Sequence, residues 1–235
     1  MKRLMKCVLV LIGVLLSGWS LIAAVTDGQK EKETSKVMYL TFDDGPSEYT
    51  NDLLDLLAEH HMKATFFMLG PEMQRYPEVV KRMIEEGHSV GVHGVSHERK
   101  IFYNGVFGPV KEMNEANDTL QAIVGKRTTL ARTPYGSTPY LTKKQKQVLE
   151  NENYLLWDWN IDSRDWSYRN PGRTFSYTLK SIKNTPKEPK VILFHDIKCV
   201  VETMTLFLDW MEDNHYVSKA ITPDLQPVKL WRKEK

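Results

Sequence analysis

The chain has 235 residues, 41% of them hydrophobic and 26% charged, the make-up of one ordinary globular domain rather than a disordered chain. Its 32 Lys and Arg stand against 30 Asp and Glu; removing residues 1–24 takes away Lys2, Arg3 and Lys6 and no acid, leaving 29 against 30, so there is no basic surplus for nucleic acid. Cys7 and Cys199 are the two cysteines; with Cys7 in the first segment, no internal disulfide staples the rest.

The first 25 residues are expected to be a signal peptide or an N-terminal membrane anchor. Lys2, Arg3 and Lys6 form a basic n-region, residues 7–16 an apolar run, and 17–24 carry smaller side chains. Extended to Val25, the apolar stretch also reaches the ~20 residues of a spanning helix. Either way the remainder is placed outside the cytoplasm, secreted or in the cell envelope, touching membrane only through this segment. Residues 26–36 read as a polar linker, 37–222 as the functional domain and 223–235 as a C-terminal tail, with 231–235 solvated.

From residue 37, strand-like and helix-like segments alternate. Strands are expected at 37–42, 64–69, 89–95, 128–132, 154–161, 190–194 and 216–221. Helices are expected at 49–60, 77–86, 109–124 (Pro at its start, Gly125 at its end), 142–151 (Thr cap), 174–183 and 201–214. This order predicts a single α/β domain, a distorted (β/α) barrel of about seven parallel strands. No glycine-rich phosphate loop follows any strand. Met62, Met68, Met73, Met83 and Met113 are expected in the core, and Cys199 reads as packing.

The reactive residues all follow strand ends, where barrels of this kind build their sites. Asp43-Asp44 closes strand one and a Gly-Pro turn follows. Adjacent strand residues point to opposite faces, so two neighbouring carboxylates meet one site only where the strand ends and the backbone turns. His93 and His97 follow strand three. One Asp and two His make a ligand set for a divalent transition metal. Gly91 and Gly94 argue against the alternative, a solvated helical histidine pair. Arg132 to Tyr135 follows strand four, Asp162 to Trp166 strand five and His195-Asp196 strand six.

Five ordered runs carry a resemblance: TFDDGP at 41–46, HGVSH at 93–97, RTPY at 132–135, DSRDW at 162–166 and ILFHD at 192–196. Over residues 36–222 the chain resembles a polysaccharide deacetylase of carbohydrate esterase family 4, the NodB-homology domain. That resemblance implies hydrolysis of N-acetyl groups on amino-sugar polymers. Cell-wall peptidoglycan is the first choice; chitooligosaccharide, an exopolysaccharide, O-acetyl ester cleavage and a silent glycan-binding domain are alternatives.

By the same resemblance Asp44, His93 and His97 hold the metal, Zn²⁺ first, with Co²⁺, Ni²⁺, Mn²⁺ or Fe²⁺ able to replace it. Asp43 is the general base and His195 the general acid. Arg132 pairs with Asp43 and keeps it ionised; Asp165 accepts from His195. The Tyr135 N–H faces the oxyanion, Trp166 offers a sugar platform and Leu193 lines the acetyl pocket. A non-haem iron oxygenase would share the 2-His-1-carboxylate set, but the strand–helix alternation and the base–acid pair disfavour it. Two departures stand out: Gly94 replaces the family's usual Ser or Thr, which implies a missing loop hydrogen bond, and Thr133 replaces a common Pro. Residues 99–108 are expected to form a loop over the substrate groove, with Phe102, Tyr103 or Phe107 touching sugar. Asp196 is read as structural or functional with equal weight.

Overall fold

The structure, a computed structural model, describes residues 36–230. The expected leader, nearly all of the linker and residues 231–235 lie outside the described residues. No described helix is long and apolar enough to cross a membrane.

Eight strands form one sheet: β1 Lys36–Asp43, β2 Ala64–Met68, β3 Ser89–Val92, β4 Leu130–Ala131, β5 Leu155–Leu156, β6 Ile161–Asp162, β7 Lys190–His195 and β8 Tyr216–Ser218. Seven run in the order β5-β4-β3-β2-β1-β7-β6, and β8 pairs the start of β1. Every pairing is parallel. The helices are α1 Thr50–Glu59, α2 Gly70–Arg75, α3 Pro77–Glu85, α4 Arg99–Phe102, α5 Gly108–Val124, α6 Lys143–Asn151, α7 Asp165–Tyr168, α8 Pro171–Asn184 and α9 Lys198–Asp213. The architecture is a distorted (β/α) barrel, as expected.

The period of two along the strands sorts side chains between two layers. On β1, Met38, Leu40 and Phe42 face the helices and join the large outer core, with Phe66 of β2 and Ile192 and Phe194 of β7. Phe42 stacks between Phe66 and Phe194, ring centroids 5.2 and 5.9 Å away. From α9, Val200, Met204, Phe207, Leu208 and Met211 turn inward at helical spacing. Burying each such side chain contributes about 1.5–3 kcal/mol, so this layer carries most of the stability. The five methionines expected in the core are all buried there.

The alternate β1 residues Tyr39, Thr41 and Asp43 point into the barrel. There Phe67, Leu130, Trp157, Val191 and Ile221 form a second, smaller cluster. Above it the interior turns polar.

The expected strand at 154–161 is two strands on opposite edges of the sheet. The chain leaves β5 with Trp157 N–H donating to Ala131 O (2.8 Å) and reaches β7 with Asn160 N–H donating to Val191 O (3.1 Å). Asn160 fixes the arrival: its amide donates to Pro189 O and accepts from Val191 N–H. Residues 157–160 thus cross the seam of the barrel. Leu225 and Val228 of the C-terminal segment pack on the inner cluster. The Val228 carbonyl and the Leu230 N–H bond to Asp158.

Candidate active site

β1 delivers Asp43 to the mouth of the barrel, 3% exposed. The next residue, Asp44, has φ 73°, a left-handed turn that brings its carboxylate to the same side. The turn is fixed from β7's end. Asp196 accepts from Ser47 Oγ (2.7 Å) and Thr50 Oγ1 (2.5 Å), its N–H donates to Asp43 O, and a Cβ on Gly45 would overlap its Oδ2. Asp196 therefore holds the loop; burial raises its carboxyl above the usual range, against the hydrogen bonds of Thr50 and Ser47.

Asp44, His93 and His97 come together with ligand-capable atoms within 4.8 Å of one another. His93 Nε2 lies 3.4 Å and His97 Nε2 3.3 Å from Asp44 Oδ1. That oxygen is buried without a hydrogen-bond partner. His93 Nδ1 meets the Arg132 carbonyl at 2.7 Å, and a carbonyl only accepts, so the proton sits on Nδ1 and the Nε2 lone pair faces the centre. Burial lowers the His93 pKa to about 3, against the pull of Asp44, which keeps the imidazole neutral as a ligand must be. An unpartnered buried carboxylate oxygen flanked by two imidazole nitrogens fits a divalent cation.

Arg132 is fully buried inside the barrel. Its Nη1 donates to Asp43 Oδ1 (2.8 Å) and Thr41 Oγ1 (2.7 Å), its Nε to Trp157 O (3.0 Å) and its Nη2 to Asp158 O (3.1 Å). The guanidinium carbon lies 4.2 Å from the Phe67 ring centroid. The expected pairing of Arg132 with Asp43 is present, and Arg132 favours the carboxylate against burial. Burial raises the Asp43 pKa above the ordinary carboxylate range, and Arg132 and His195 only partly offset it.

Across the mouth, Asp165 is fully buried and accepts three bonds: His195 Nδ1 (2.8 Å), His195 N–H (2.6 Å) and Trp166 N–H (2.7 Å). Burial works against the His195 imidazolium, but the hydrogen bond and charge of Asp165, with Asp44 and Asp43 behind it, hold its pKa at about 9. Leu193 lies one inward position before His195 and is buried. Trp166 is half exposed, its indole N–H donating to Asp162 Oδ1 (3.3 Å). Tyr135, φ 65°, lies on the opposite rim: its hydroxyl donates to His97 O (2.8 Å) and its ring is 4.8 Å from that of His97.

All ten expected site residues thus gather at one mouth. The 99–108 expectation fares differently. Phe102 is buried in the outer core, and Tyr103 donates its hydroxyl to Pro134 O (2.6 Å), propping the loop that carries Tyr135. Phe107 is 69% exposed. Sequence reasoning missed Glu112 and Asp158. Asp158 accepts from Ser137 N–H, Ser137 Oγ and Leu230 N–H. Glu112 had a signal: an acid inside the buried stripe Pro109, Val110, Met113, Ala116 and Leu120 of α5 requires a partner.

A carboxylate–guanidinium pair and a carboxylate–imidazole pair beside a cluster that fits a cation make a candidate hydrolytic site at the mouth of a distorted barrel. Comparison with known proteins says which kind. The sequence profile described as polysaccharide deacetylase matches residues 30–154. The chain is 43% identical over 203 residues to YheN of Bacillus subtilis (strain 168), covering 85% of this chain and 72% of that protein. It is 37% identical over 202 residues to a peptidoglycan-N-acetylglucosamine deacetylase of Bacillus cereus, covering 83% and 73%. The crystal structure of the polysaccharide deacetylase Bc1974 from Bacillus cereus superposes with a TM-score of 0.76 at 37% identity, covering 83% of this chain and 97% of that one. The chain belongs to the polysaccharide deacetylase family and is an enzyme of that class.

Proposed function

We propose that the protein removes N-acetyl groups from peptidoglycan outside the cytoplasm, with Asp43 as base and His195 as acid. The observation that carries this reading is the pair of buried, partnered groups, Asp43 on Arg132 and His195 on Asp165, set side by side at the ends of β1 and β7 next to Asp44, His93 and His97. The peptidoglycan deacetylases among its relatives and the signal-like residues 1–24 support the choice of polymer.

Asp44, His93 and His97 would hold a divalent cation, zinc by default. Such a cation lowers the pKa of water toward neutrality and polarises an acyl oxygen. Asp43, with its carboxyl raised above the ordinary range, takes the proton of the attacking water. A base poised nearer the working pH accepts a proton more readily than an ordinary carboxylate. The acetyl methyl sits against Leu193. The Tyr135 backbone N–H, on the loop that Asp158 and Tyr103 brace, donates to the developing oxyanion. His195, protonated through neutral pH, gives its Nε2 proton to the leaving nitrogen. An amine leaves poorly without that proton, so base and acid are both required. Trp166 presents its exposed face to a sugar ring.

The test is acetate release from purified peptidoglycan and from chitin oligomers, after chelation and again after zinc add-back. Zinc-restored release from peptidoglycan is the expected result. Release from chitin alone would move the substrate; no release, with zinc bound at one equivalent, would overturn the hydrolytic reading.

A further inference from the structure

Between His93 and His97 the chain runs through Gly94, Val95 and Ser96. Two successive backbone N–H groups, those of Val95 and Ser96, converge on one atom, Glu112 Oε2, each at 2.8 Å. Converging amides of this kind form an anion-holding concavity, and here the anion is a side chain of the same protein. Glu112 comes from α5 and is 9% exposed, so these bonds are shielded from water and depend on where that oxygen lies.

The same spot explains Gly94. Its φ is +92°, and a Cβ there would lie 2.8 Å from Phe102 Cε2 and 3.3 Å from Glu112 Oε2. The buried Phe102 ring thus leaves no room for a Ser or Thr side chain. The loop's Val95 and Ser96 amides are held from a helix seventeen and sixteen residues downstream.

We propose that Glu112 is a positioning residue for the ligand loop, setting through one oxygen the distance between His93 and His97. The inference rests on the reading of Asp44, His93 and His97 as cation ligands. His93 is held at the end of β3, with its ring anchored on Arg132 O. His97 lies past the strand end at φ 50° and takes its place from the loop backbone and from Tyr135. Fixing Val95 and Ser96 fixes the path between the two imidazoles. Groups behind metal ligands typically set affinity by roughly 10–100-fold.

The test separates length from charge in the full chain. Glu112→Asp keeps the charge but withdraws the oxygen by one methylene; Glu112→Gln keeps an oxygen in reach and drops the charge. In the metal-free proteins, amide exchange of Val95 and Ser96 is expected to accelerate roughly tenfold or more in Glu112→Asp and to stay near the parent in Glu112→Gln. The zinc dissociation constant, from competition with a chromophoric chelator, follows the same order, weakened roughly tenfold or more in Asp and within about threefold of the parent in Gln. Metal-free thermal midpoints report whether either variant is simply less folded. A Glu112→Asp variant with parental exchange and parental zinc affinity overturns the inference. A parent chain that takes up no zinc overturns the ligand reading instead.

Discussion

Two ion pairs sit side by side at the ends of β1 and β7, and burial acts against the charged member in both. Asp43 loses that contest: its carboxyl rises despite Arg132. His195 wins it: its pKa stands at about 9 because of Asp165. Both partners serve several groups at once. Arg132 divides its donors among Asp43, Thr41 and the carbonyls of Trp157 and Asp158. Asp165 gives one oxygen to the His195 ring and the Trp166 N–H and the other to the His195 backbone. Both pKa values rise, for different reasons: burial disfavours the Asp43 carboxylate, whereas the Asp165 hydrogen bond and charge favour the His195 imidazolium. In the mechanism proposed above, the first group serves as proton acceptor and the second as donor.

The comparison breaks most severely at Arg132. Arg132→Met leaves a buried carboxylate and two buried carbonyls without their donor, and the fold is expected to lose about 3–5 kcal/mol, read as a fall in the urea midpoint. An unmoved midpoint would mean the pair contributes nothing to the fold. Next come the two groups themselves. Asp43→Asn and His195→Ala are each expected to lower kcat by about 10²–10⁴, with zinc uptake retained by calorimetry; parental turnover in either removes that residue from the chemistry.

Asp165→Asn sharpens the contrast without deleting either group. His195 works protonated, so activity is present below its pKa and lost as pH rises through about 9. Removing the anion that raises this pKa should move the alkaline limb of the kcat profile down by roughly 1–3 units. A limb that stays in place assigns it to some other group. Trp166→Ala lies outside both pairs, and KM is expected to rise roughly three- to tenfold, the scale of about 0.5–1.5 kcal/mol for one aromatic contact, while kcat holds. A drop in kcat instead would give the indole a part in the chemistry.

Much of this site was legible because its residues occupy short runs at strand ends. Asp43-Asp44, His93 with His97 and Asp165 with His195 each announce a chemistry by residue type and place. The seam was not legible. Residues 154–161 alternate well enough for one strand, and only the side-chain bonds of Asn160 show the chain changing edges. The short helices α2, α4 and α7 were missed because four to six residues carry too little periodicity to register.

The turn at Gly45 bears on how such a protein is found at all. Nothing at Gly45 reacts, yet a side chain there would collide with Asp196 as it holds Ser47 and Thr50. Part of the hexapeptide at 41–46 is therefore written by lack of room, not by catalysis. A descendant that lost its chemistry but kept its shape would still carry that glycine, so Gly45 marks ancestry, whereas under the proposed mechanism Asp43 and His195 mark activity.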